Sequence, residues 1–420
     1  MAYIEETNRV PVAGEYDVVV AGGGVAGIAA ALSARRAGRS VLLLEKSCKL
    51  GGLATLGLIN LFVPLCNGRG TAIIGGMCEE LLRLSIRRGY DSLPDAWRDG
   101  KAQPGEKSRY VTRFSPDIFA MELSALLDDE GVALLYDSLA VRPVMKGERC
   151  EGVMVESKGG LEFYRAAMIV DATGDADLLF RAGVPTVQGG NYFTYMGQAI
   201  DLEHCRKALE SGNVNDAMYT VAGGAASLYG TGHPEGMPLI GGVDAREISR
   251  YIIDNHKLIL EKLRPEERFE RDVVQLPGMP QFRTTRHIRG DYTLRVEDAY
   301  RHFEDSVGAI CDFDRRDYLF EVPLRCMTDR RYPNFITAGR SASAEGYAWD
   351  VLRVIPPAIL TGQAAGLIAA RALDEGRSAA DVDIAGLQRT LSAAGVMIHF
   401  DDALIPKGAD AGERADIGHV

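Results

Sequence analysis

Short apolar runs and small-residue stretches alternate near the start of the chain, and their order predicts a strand–helix–strand unit. Residues 16–21 are β-branched and almost wholly apolar, as expected of a strand buried on both faces in a parallel sheet. An alanine-rich run over residues 28–36 predicts the helix that follows. Residues 40–44 are again mostly apolar and predict a second strand, which ends at Glu45.

The turn between the first strand and the helix matches the pattern G-x-G-x-x-G over residues 22–27. Gly22 permits a tight turn, Gly24 lets the backbone approach a pyrophosphate, and Gly27 lets the helix pack close to the strand. Free N–H groups and the positive end of the helix attract phosphates. The carboxylate of Glu45 can accept hydrogen bonds from both ribose hydroxyls. The pattern predicts a dinucleotide site, and the alternative is a glycine-rich turn beside an unpaired surface glutamate.

Later segments indicate a dinucleotide longer than a nicotinamide cofactor. A second glycine pair, Gly51-Gly52, follows soon after Glu45, where a cofactor that extends past the pyrophosphate would run. Residues 167–177 predict a strand that ends in Ala-Thr-Gly-Asp, and residues 334–340 predict a strand that ends in Gly-Arg. An alanine-rich helix is predicted from Thr361 to Leu373, because Pro356-Pro357 should prevent an earlier start.

Together these segments resemble the FAD proteins of the glutathione-reductase-like superfamily. In that superfamily the second glycine pair tracks the ribityl chain, and the two later turns are further FAD contacts. The chain is most similar to a broad bacterial group called FAD-dependent oxidoreductases, which also contains the flavin subunit of heterodisulfide reductase. The resemblance covers most of the chain and implies FAD as the cofactor. It also implies that the N-terminus of the late helix faces the flavin pyrimidine edge, where it favours negative charge on reduced flavin.

The resemblance implies FAD contacts in separate parts of the chain that the fold would bring together. They lie in the first turn, at the ribose acid, around the second glycine pair, on a strand near the adenine, in the two later turns and at the start of the late helix. The expected contacts are Gly22, Gly24, Val25, Ala26, Gly27, Glu45, Lys46, Gly51, Gly52, Leu53, Ala54, Thr55, Ala140, Ala172, Thr173, Gly174, Asp175, Gly339, Arg340, Thr361, Gly362, Gln363, Ala364 and Ala365.

These elements predict an α/β fold with two parts. A Rossmann-like FAD-binding domain has three layers, with a parallel sheet and a small antiparallel sheet, and it carries an inserted mixed α+β substrate or cap domain. Residues 1–189 and 329–375 form the FAD-binding domain in this interpretation, and residues 190–328 form the cap. Residues 376–420 form a C-terminal helical tail. Within the cap, residues 244–247 predict a capping box for a helix that runs to about residue 263.

A flavin supplies hydride or electron transfer, so the protein must bind the substrate and control its proton. No second G-x-G-x-x-G follows a predicted strand, which disfavours a dedicated NAD(P)H domain. We therefore expect a dehydrogenase or oxidase that moves a hydride between a small polar, in one version anionic, metabolite and flavin N5. Two alternatives stay open. One is a flavin reductase fed by a separate electron-donor protein, and the other is a protein that uses FAD structurally or for non-redox chemistry.

The densest candidate for catalysis lies in residues 281–295, which alternate like a strand pair. On a strand, Arg286 and His287 face opposite ways. Arg286 could clamp a carboxylate through two hydrogen bonds. His287 titrates near neutral pH and could take a proton. The alternative is a set of ion pairs on a sheet surface.

Three further residues are catalytic candidates. His233 lies in a glycine- and proline-rich loop and could act as a base on a lid, although a solvated loop histidine is the alternative. Tyr347 and Arg353 lie between the Gly-Arg turn and the late helix, so chain geometry places them near the flavin. For these two, core or cofactor packing and substrate contact both stay open.

Charge and cysteine content restrict the partners. The net charge of −11, from 47 Lys+Arg and 58 Asp+Glu, disfavours nucleic acid as the main partner. Seven cysteines without a C-x-x-C pair predict no disulfide scaffold and no metal or iron–sulfur site, which departs from the heterodisulfide reductase branch.

The sequence also lacks a signal-peptide pattern and an uninterrupted apolar span, so we expect a cytoplasmic protein without a membrane partner. The expected partners are a small-molecule substrate and an electron acceptor. Oxygen, a quinone and a carrier protein stay open as acceptors, as does a homo-oligomer.

Overall fold

A computed structural model describes residues 4, 7 and 9–406, and these form one large sheet, several smaller ones and a set of covering helices. The strands are β1 (Val12–Ala21), β2 (Val41–Leu44), β3 (Leu61–Phe62), β4 (Thr112–Arg113), β5 (Ala133–Leu135), β6 (Leu139–Lys146), β7 (Arg149–Ser157), β8 (Gly160–Asp171), β9 (Thr186–Gln188), β10 (Thr194–Asp201), β11 (Met218–Ala225), β12 (Arg271–Gln275), β13 (Arg286–Ile288), β14 (Ser306–Cys311), β15 (Leu319–Pro323) and β16 (Phe335–Thr337). The α-helices are α1 (Val25–Arg36), α2 (Met77–Ile86), α3 (Pro116–Asp129), α4 (Asp177–Ala182), α5 (Leu202–Ser211), α6 (Ala245–Leu263), α7 (Gly346–Leu352), α8 (Ile355–Glu375) and α9 (Ile384–Ala393).

The large sheet combines parallel and antiparallel pairing. Strands β5, β2, β1, β8 and β16 lie side by side and run parallel. Strand β8 is long enough to pair twice on one side, because its first half is antiparallel to β7 and residues 169–171 are parallel to β16. Strand β6 continues the antiparallel part beyond β7.

Alternate residues of β1 enter two different hydrophobic cores, as the two-residue period of a strand requires. Val18 and Val20 pack with α1 and α8 on one face of the sheet. Val19 and Ala21 pack with residues of β6 and β7 on the other face. Helices, parallel strands and antiparallel strands therefore form three layers, which confirms the predicted α/β fold class.

Helices α1 and α8 pack closely because glycines of α8 lie against the backbone of α1. A Cβ atom on Gly362 would lie 2.2 Å from the carbonyl oxygen of Ala26, and one on Gly366 would lie 2.1 Å from that of Ala30. No other residue type fits at these two positions without moving a helix. The small residues of this segment therefore serve helix packing.

The predicted start of this late helix at Thr361 is wrong. Helix α8 begins at Ile355, with Val354 as its N-terminal cap, and Pro356 and Pro357 lie in its first turn. Proline is tolerated there because the first N–H groups of a helix have no partner within the helix. The two prolines therefore start the helix and do not delay it.

The cap contains its own small core. Strands β10, β11 and β12 form an antiparallel sheet, and α6 packs against it around Phe193, Tyr251 and Phe282. Asp244 caps α6 by accepting hydrogen bonds from the N–H groups of Arg246 and Glu247, at 2.9 and 3.0 Å. The Glu247 carboxylate accepts from residues 241 and 242, so the returning half of the predicted capping box is replaced.

The buried apolar residues of the segment 294–327 belong to the main core and not to the core of the cap. Leu294 and Phe303 belong to the hydrophobic cluster that contains α1 and α8, as do buried residues of β14 and β15. The core of the cap itself ends near Phe282, well before residue 328.

Helix α9 forms where the sequence predicts a helix in the C-terminal tail. The end of that tail, residues 407–420, lies outside the described residues. In the described part of the chain, no single helix has the length and apolarity needed to cross a bilayer. Among the described helices, the pair α7 and α8, taken together across a 76° bend, reaches that limit by length and composition alone.

Candidate functional site

A cavity of about 410 Å³ opens at the carboxyl ends of β1, β2, β8 and β16, the edge at which open α/β sheets bind ligands. The cap closes its other side with Thr194, Met196, Gly278, Met279 and residues 281–283. Much of the expected site lies in its wall, which contains Gly22, Gly24, Val25, Ala26, Glu45, Lys46, Gly51, Gly52, Leu53, Ala54, Ala140, Ala172, Thr173, Gly174, Gly339, Arg340 and Arg353.

The three glycines of the first turn have different environments. Gly22 has a φ of +105°, and a Cβ atom there would lie 2.4 Å from the carbonyl oxygen of Ala172. A Cβ atom on Gly27 would lie 1.9 Å from the carbonyl oxygen of Gly22, so Gly27 serves strand–helix packing and does not line the cavity. A Cβ atom on Gly24 would meet nothing within 4 Å and would project into open space.

Two helices direct uncapped N-termini at the cavity. Helix α1 begins after Gly24 with no side-chain cap and no acidic residue in its first turn. Helix α8 begins after Val354 with the same lack of a side-chain cap and of acidic residues. Val25, Val354 and Ile355 lie in the cavity wall. The unpaired N–H groups of α1 and its helix dipole favour an anion at its N-terminus. The first turn of α8 offers only the N–H of Ile355, because Pro356 and Pro357 have none and Ala358 donates to the carbonyl oxygen of Val354, so there the helix dipole is what favours negative charge.

Glu45 both lines the cavity and shapes the first turn. One carboxylate oxygen accepts from the N–H of Gly23 at 2.8 Å, and the other accepts from the N–H of Ser47 at 2.8 Å. The residue is only 6% exposed. Each carboxylate oxygen has a second lone pair, so Glu45 can still accept hydrogen bonds from a ligand.

The turn after β8 is organised by the buried carboxylate of Asp171. Its oxygens accept from the N–H groups of Thr173 at 3.1 Å and of Leu178 and Leu179 at 2.9 Å. Burial raises the pKa of Asp171 despite these hydrogen bonds. The bonds hold residues 172–174 in the cavity wall.

Arg340 joins this turn to the cap. Its guanidinium donates to the carbonyl oxygen of Gly174 and to the carboxylate of Asp175, both at 2.7 Å, and to the carbonyl oxygen of Phe282. Asp175 also accepts from the hydroxyl of Thr285, so it lies behind the wall and not in it.

The expected contacts from the late helix do not line the cavity, and neither does Thr55. Thr361, Gly362, Gln363, Ala364 and Ala365 lie inside α8, beyond its first turn, because the helix starts six residues earlier than predicted. Their functions are supporting ones. The Thr361 hydroxyl accepts from the N–H of Gly339 at 2.9 Å, and the Gln363 side chain accepts from the N–H of Met77 at 3.0 Å.

Thr55 is fully buried and lies outside the wall. It donates to the carbonyl oxygen of Leu50. It therefore steadies the segment that carries the second glycine pair.

The structure places Arg286 and His287 outside the cavity wall. The Arg286 guanidinium donates to the carbonyl oxygen of Asp175 at 2.7 Å and to the carboxylate of Asp177 at 2.6 Å, and it lies 4.0 Å from the ring centre of Phe180. His287 is 2% exposed and packs edge-on against Trp349. Burial lowers the pKa of His287. Strand β13 pairs with β9 and not with a following strand, which explains why both side chains are enclosed.

His233 and Tyr347 also lie outside the wall. Both ring nitrogens of His233 are occupied, because Nδ1 accepts from the N–H of Phe193 at 3.0 Å and Nε2 lies 3.0 Å from the carbonyl oxygen of Met237. The Tyr347 hydroxyl donates to the carboxylate of Asp312 at 2.7 Å. Burial and this carboxylate raise the pKa of Tyr347. The geometry therefore gives neither residue access to a ligand in the cavity.

Arg353 does line the cavity, and the structure adds Arg283 beside it. Arg353 donates twice to one carboxylate oxygen of Asp350, at 2.9 and 2.6 Å. Arg283 donates to the carbonyl oxygens of Ser227 and Ala226, at 2.8 and 3.3 Å. Burial lowers the pKa of both guanidiniums, and the charge of Arg353 lowers that of Arg283 further. We call Arg283 and Arg353 the arginine pair.

Sequence reasoning missed Arg283 although it lies three residues before Arg286. Both arginines occur in the same segment, and alternation alone does not tell which one faces the cavity. The segment reaches the cavity because Gln281 connects the cap to the nucleotide side. Its amide donates to the carbonyl oxygens of Gly57 at 2.6 Å and Met196 at 2.9 Å.

The model of a family described as FAD dependent oxidoreductase matches residues 17–224 and 240–391. The L-aspartate oxidases of Mycobacterium bovis and Mycobacterium tuberculosis are 28% identical over 196 residues. That match covers 40% of this chain and 36% of each relative, so the chain matches about a third of their length.

Solved structures with a similar arrangement are distant in sequence. The p-nitrophenol 4-monooxygenase PnpA of Pseudomonas putida DLL-E4 is 12% identical, with a TM-score of 0.49 over 93% of this chain and 91% of that one. A geranylgeranyl bacteriochlorophyll reductase-like protein of Thermoplasma acidophilum is 14% identical, with a TM-score of 0.43 over 93% and 94% of the two chains.

Proposed function

This chain belongs to the FAD-dependent oxidoreductase family, and from that premise we propose that it oxidises a small anionic metabolite as a dehydrogenase or oxidase. The cofactor is FAD and the protein is an enzyme. We also propose that the chain lies within the glutathione-reductase-like superfamily.

The cavity wall fits FAD. The pyrophosphate would lie over Gly24 and the first turn of α1, where no side chain fills the space and no acidic residue repels it. Glu45 would accept hydrogen bonds from the ribose of the adenosine half. The N-terminus of α8 would face the opposite part of the cofactor, at Val354 and Ile355 in place of the predicted Thr361.

The arginine pair is the main support for an anionic substrate. Arg283 and Arg353 lie in one wall of the cavity, and only Asp350 is a carboxylate partner of Arg353 within the described residues. Two partly buried guanidiniums with free N–H groups favour a carboxylate or another planar anion. The bound flavin supplies hydride transfer, and the arginine pair would hold the substrate anion in reach of it.

The name of one distant relative agrees with this substrate class. L-aspartate oxidase is named for an amino acid that carries two carboxylates. The similarity covers less than half of either chain, so it supports an anionic substrate without identifying aspartate itself.

None of the titratable residues in the cavity wall is a histidine or a tyrosine, among the residues described. The histidine base predicted from the sequence is therefore not part of the proposal. The proton that a substrate alcohol or amine releases would leave through water in the cavity.

Anaerobic reduction of the flavin by defined substrates tests the proposal. The purified holoenzyme is mixed with amino acids, hydroxy acids and dicarboxylates, and each is compared with its uncharged amide or ester. We expect at least one acid to bleach the flavin absorbance and its neutral derivative to bleach it far more slowly. Equal rates for acid and derivative would contradict the role of the arginine pair.

Other outcomes of the same experiment identify the alternatives. Bleaching only by a reduced carrier protein would favour a flavin reductase, and a flavin that never cycles would favour structural or non-redox use. A protein that neither contains FAD nor takes it up would contradict the placement of the cofactor. The electron acceptor and the cellular location stay predictions of the sequence.

A further inference from the structure

A second group of chemically active side chains lies on β15 and the segments around it, apart from the cavity. Glu321 on β15 is completely buried. His302 lies in the segment before β14, and His399 follows α9, so three distant parts of the chain meet here. None of these residues lines the cavity described above. We call His302, Glu321 and His399 the histidine–glutamate cluster.

Both histidines point a ring nitrogen at the buried carboxylate. His302 Nδ1 lies 2.5 Å from Glu321 Oε1, and His399 Nδ1 lies 2.9 Å from Glu321 Oε2. Glu321 Oε2 also accepts from the N–H of Phe303 at 2.8 Å, which holds the carboxylate in place. One nitrogen from each histidine and one oxygen of Glu321 lie within 4.8 Å of one another.

This arrangement suits a divalent transition metal. Imidazole nitrogen and carboxylate oxygen are zinc ligands at about 2.0–2.2 Å, which puts the ligand atoms of one tetrahedral ion about 3.3 Å apart. Small rotations of the two exposed imidazoles would bring the atoms to that spacing. The side chains of His302 and His399 are 42% and 45% exposed, so an ion and a water ligand can reach them.

The charges of the cluster also favour a cation. Within the described residues, the ion-pair partners of Glu321 are only the two histidines, which carry charge only when protonated. Asp402 adds a second carboxylate, 2.8 Å from His302 Nε2. A buried carboxylate without a permanent positive partner is costly in a protein interior. A divalent ion would compensate both carboxylates.

Asp402 contacts His302 in the way that a carboxylate orients a metal-binding histidine. A carboxylate that accepts from one ring nitrogen of a histidine leaves the other nitrogen unprotonated and free to bind a metal. Here Asp402 can accept from Nε2 of His302, which leaves Nδ1 directed at the cluster.

We propose that the histidine–glutamate cluster binds one Zn²⁺ ion, with Asp402 orienting His302 and water as the fourth ligand. The ion would fasten the C-terminal segment to the hairpin of β14 and β15. That segment already contacts β14 through hydrogen bonds from Ala309 N to Met397 O and from Ser306 Oγ to Ile398 O, both at 2.7 Å. The ion would thus act on the stability of this region and not on the flavin reaction.

Zinc titration of the metal-depleted holoenzyme tests the proposal. The protein is treated with EDTA, freed of the chelator and titrated with ZnCl₂ while bound zinc, thermal midpoint and flavin absorbance are measured. We expect one equivalent of tightly bound zinc per chain, a higher thermal midpoint and unchanged flavin content. The flavin readout keeps this test separate from the proposed oxidoreductase function.

Variants locate the ion. His302→Ala and His399→Ala should each weaken zinc binding at least about tenfold, and Asp402→Asn should weaken it about tenfold as an orienting partner. His204→Ala is the control, because His204 pairs with Asp201 in the cap at 2.8 Å and lies outside the cluster. Circular dichroism of each variant checks folding, and both histidines are exposed enough for alanine to be tolerated.

Three results would overturn the proposal. One is the absence of stoichiometric zinc in the wild-type protein. Another is equal zinc binding by wild type and the His302→Ala/His399→Ala double variant. The third is a thermal midpoint that responds to the pH but not to ZnCl₂, which would identify the cluster as ion pairs alone.

Discussion

The two ends of the cavity differ in which atoms form their walls. The nucleotide end is mostly backbone, with Gly22, Gly24, Gly51 and Gly52 in the wall and Glu45 as its main charged side chain. The cap end is mostly side chains, among them Met196, Gln281, Phe282 and the arginine pair. The nucleotide end carries unpaired helix N–H groups, whereas the cap end carries guanidiniums.

This difference indicates which end of the cavity suits a cofactor shared by many enzymes and which end suits a particular substrate. A backbone cradle recognises phosphates and depends on the absence of side chains, so it suits a cofactor shared by many enzymes. Side chains at the other end can be exchanged without disturbing the sheet, so they suit a substrate that differs from enzyme to enzyme. Replacing residues at each end should therefore have different consequences.

The largest effect is expected at the glycines of the first turn. Gly27→Ala should destabilise the FAD-free protein by about 3 kcal/mol, because the new Cβ atom would lie 1.9 Å from a backbone oxygen. Gly24→Ala should leave the FAD-free protein as stable as wild type, because its Cβ atom would meet nothing within 4 Å. It should still weaken FAD binding at least about tenfold, an effect of about 1.4 kcal/mol. Denaturation of the apoprotein and FAD titration measure the two effects, and equal behaviour of both variants would contradict the assignment.

At the cap end, Arg283→Met and Arg353→Met should each raise the KM for an anionic substrate about 10–100-fold, because a charge-assisted hydrogen bond is worth about 1.5–3 kcal/mol. FAD content should not change. Steady-state kinetics and the flavin absorbance ratio give the two measurements.

Arg206→Met is the matched control for this pair. Arg206 lies on the exposed face of α5 in the cap, and among the described residues its ion-pair partner is Glu210, at 2.6 Å. An equal rise of the KM in this variant would show that the effect comes from net charge and not from the arginine pair.

Glu45→Gln should weaken FAD binding by about 1–3 kcal/mol. The amide keeps only one acceptor oxygen, so it cannot accept from Gly23, Ser47 and the ribose together. FAD titration of the apoprotein measures the loss, with Glu130→Gln on the surface near Arg36 as a control. Unchanged FAD retention would exclude the ribose contact.

The smallest effect is expected at His287, which lies outside both ends. Its folded-state pKa is below the ordinary value of 6.5. As the pH falls through about 6.5, the unfolded chain takes up a proton that the folded chain does not, so the stability of the wild-type protein falls. His287→Asn removes this proton uptake, so we expect its stability to fall less than that of the wild type between about pH 7.5 and about pH 5.5.

Thermal midpoints of wild type and His287→Asn at the two pH values measure this difference. The same variant should keep the KM of wild type, since His287 does not line the cavity. A raised KM would indicate that His287 contacts the substrate.

The elements around the first turn could be predicted from the sequence because local rules suffice there. A buried parallel strand requires a continuous apolar run, and the turn needs glycine at fixed positions. The three-layer arrangement followed from the same segment and from the later turns after β8 and β16. FAD as the cofactor followed as well and is confirmed by the family.

The start of α8 could not be predicted with the same rules. A proline pair usually ends a helix, but it also fits the first turn, and the sequence does not tell which of the two applies. The small residues at 361–365 then suggested a cofactor contact, whereas the structure shows close packing against α1. Packing of one helix on another depends on partners that are more than three hundred residues away.

Four of the five catalytic candidates lie outside the cavity wall for a related reason. Arg286, His287, His233 and Tyr347 have the right chemistry, yet each side chain is used by neighbours that only the folded chain provides. The histidine–glutamate cluster shows the reverse. Residues 302, 321 and 399 have no spacing that resembles a metal motif, and the fold alone brings them together.

From its sequence alone, the chain is determined to be a three-layer α/β protein with a dinucleotide cradle, because glycine positions and apolar runs act on the backbone nearby. Only the tertiary structure decides which arginines face the cavity, where α8 begins and whether a carboxylate meets two histidines. Those outcomes depend on side chains from distant segments of the chain. These side chains acquire their packing and hydrogen-bond partners only when folding brings the segments together.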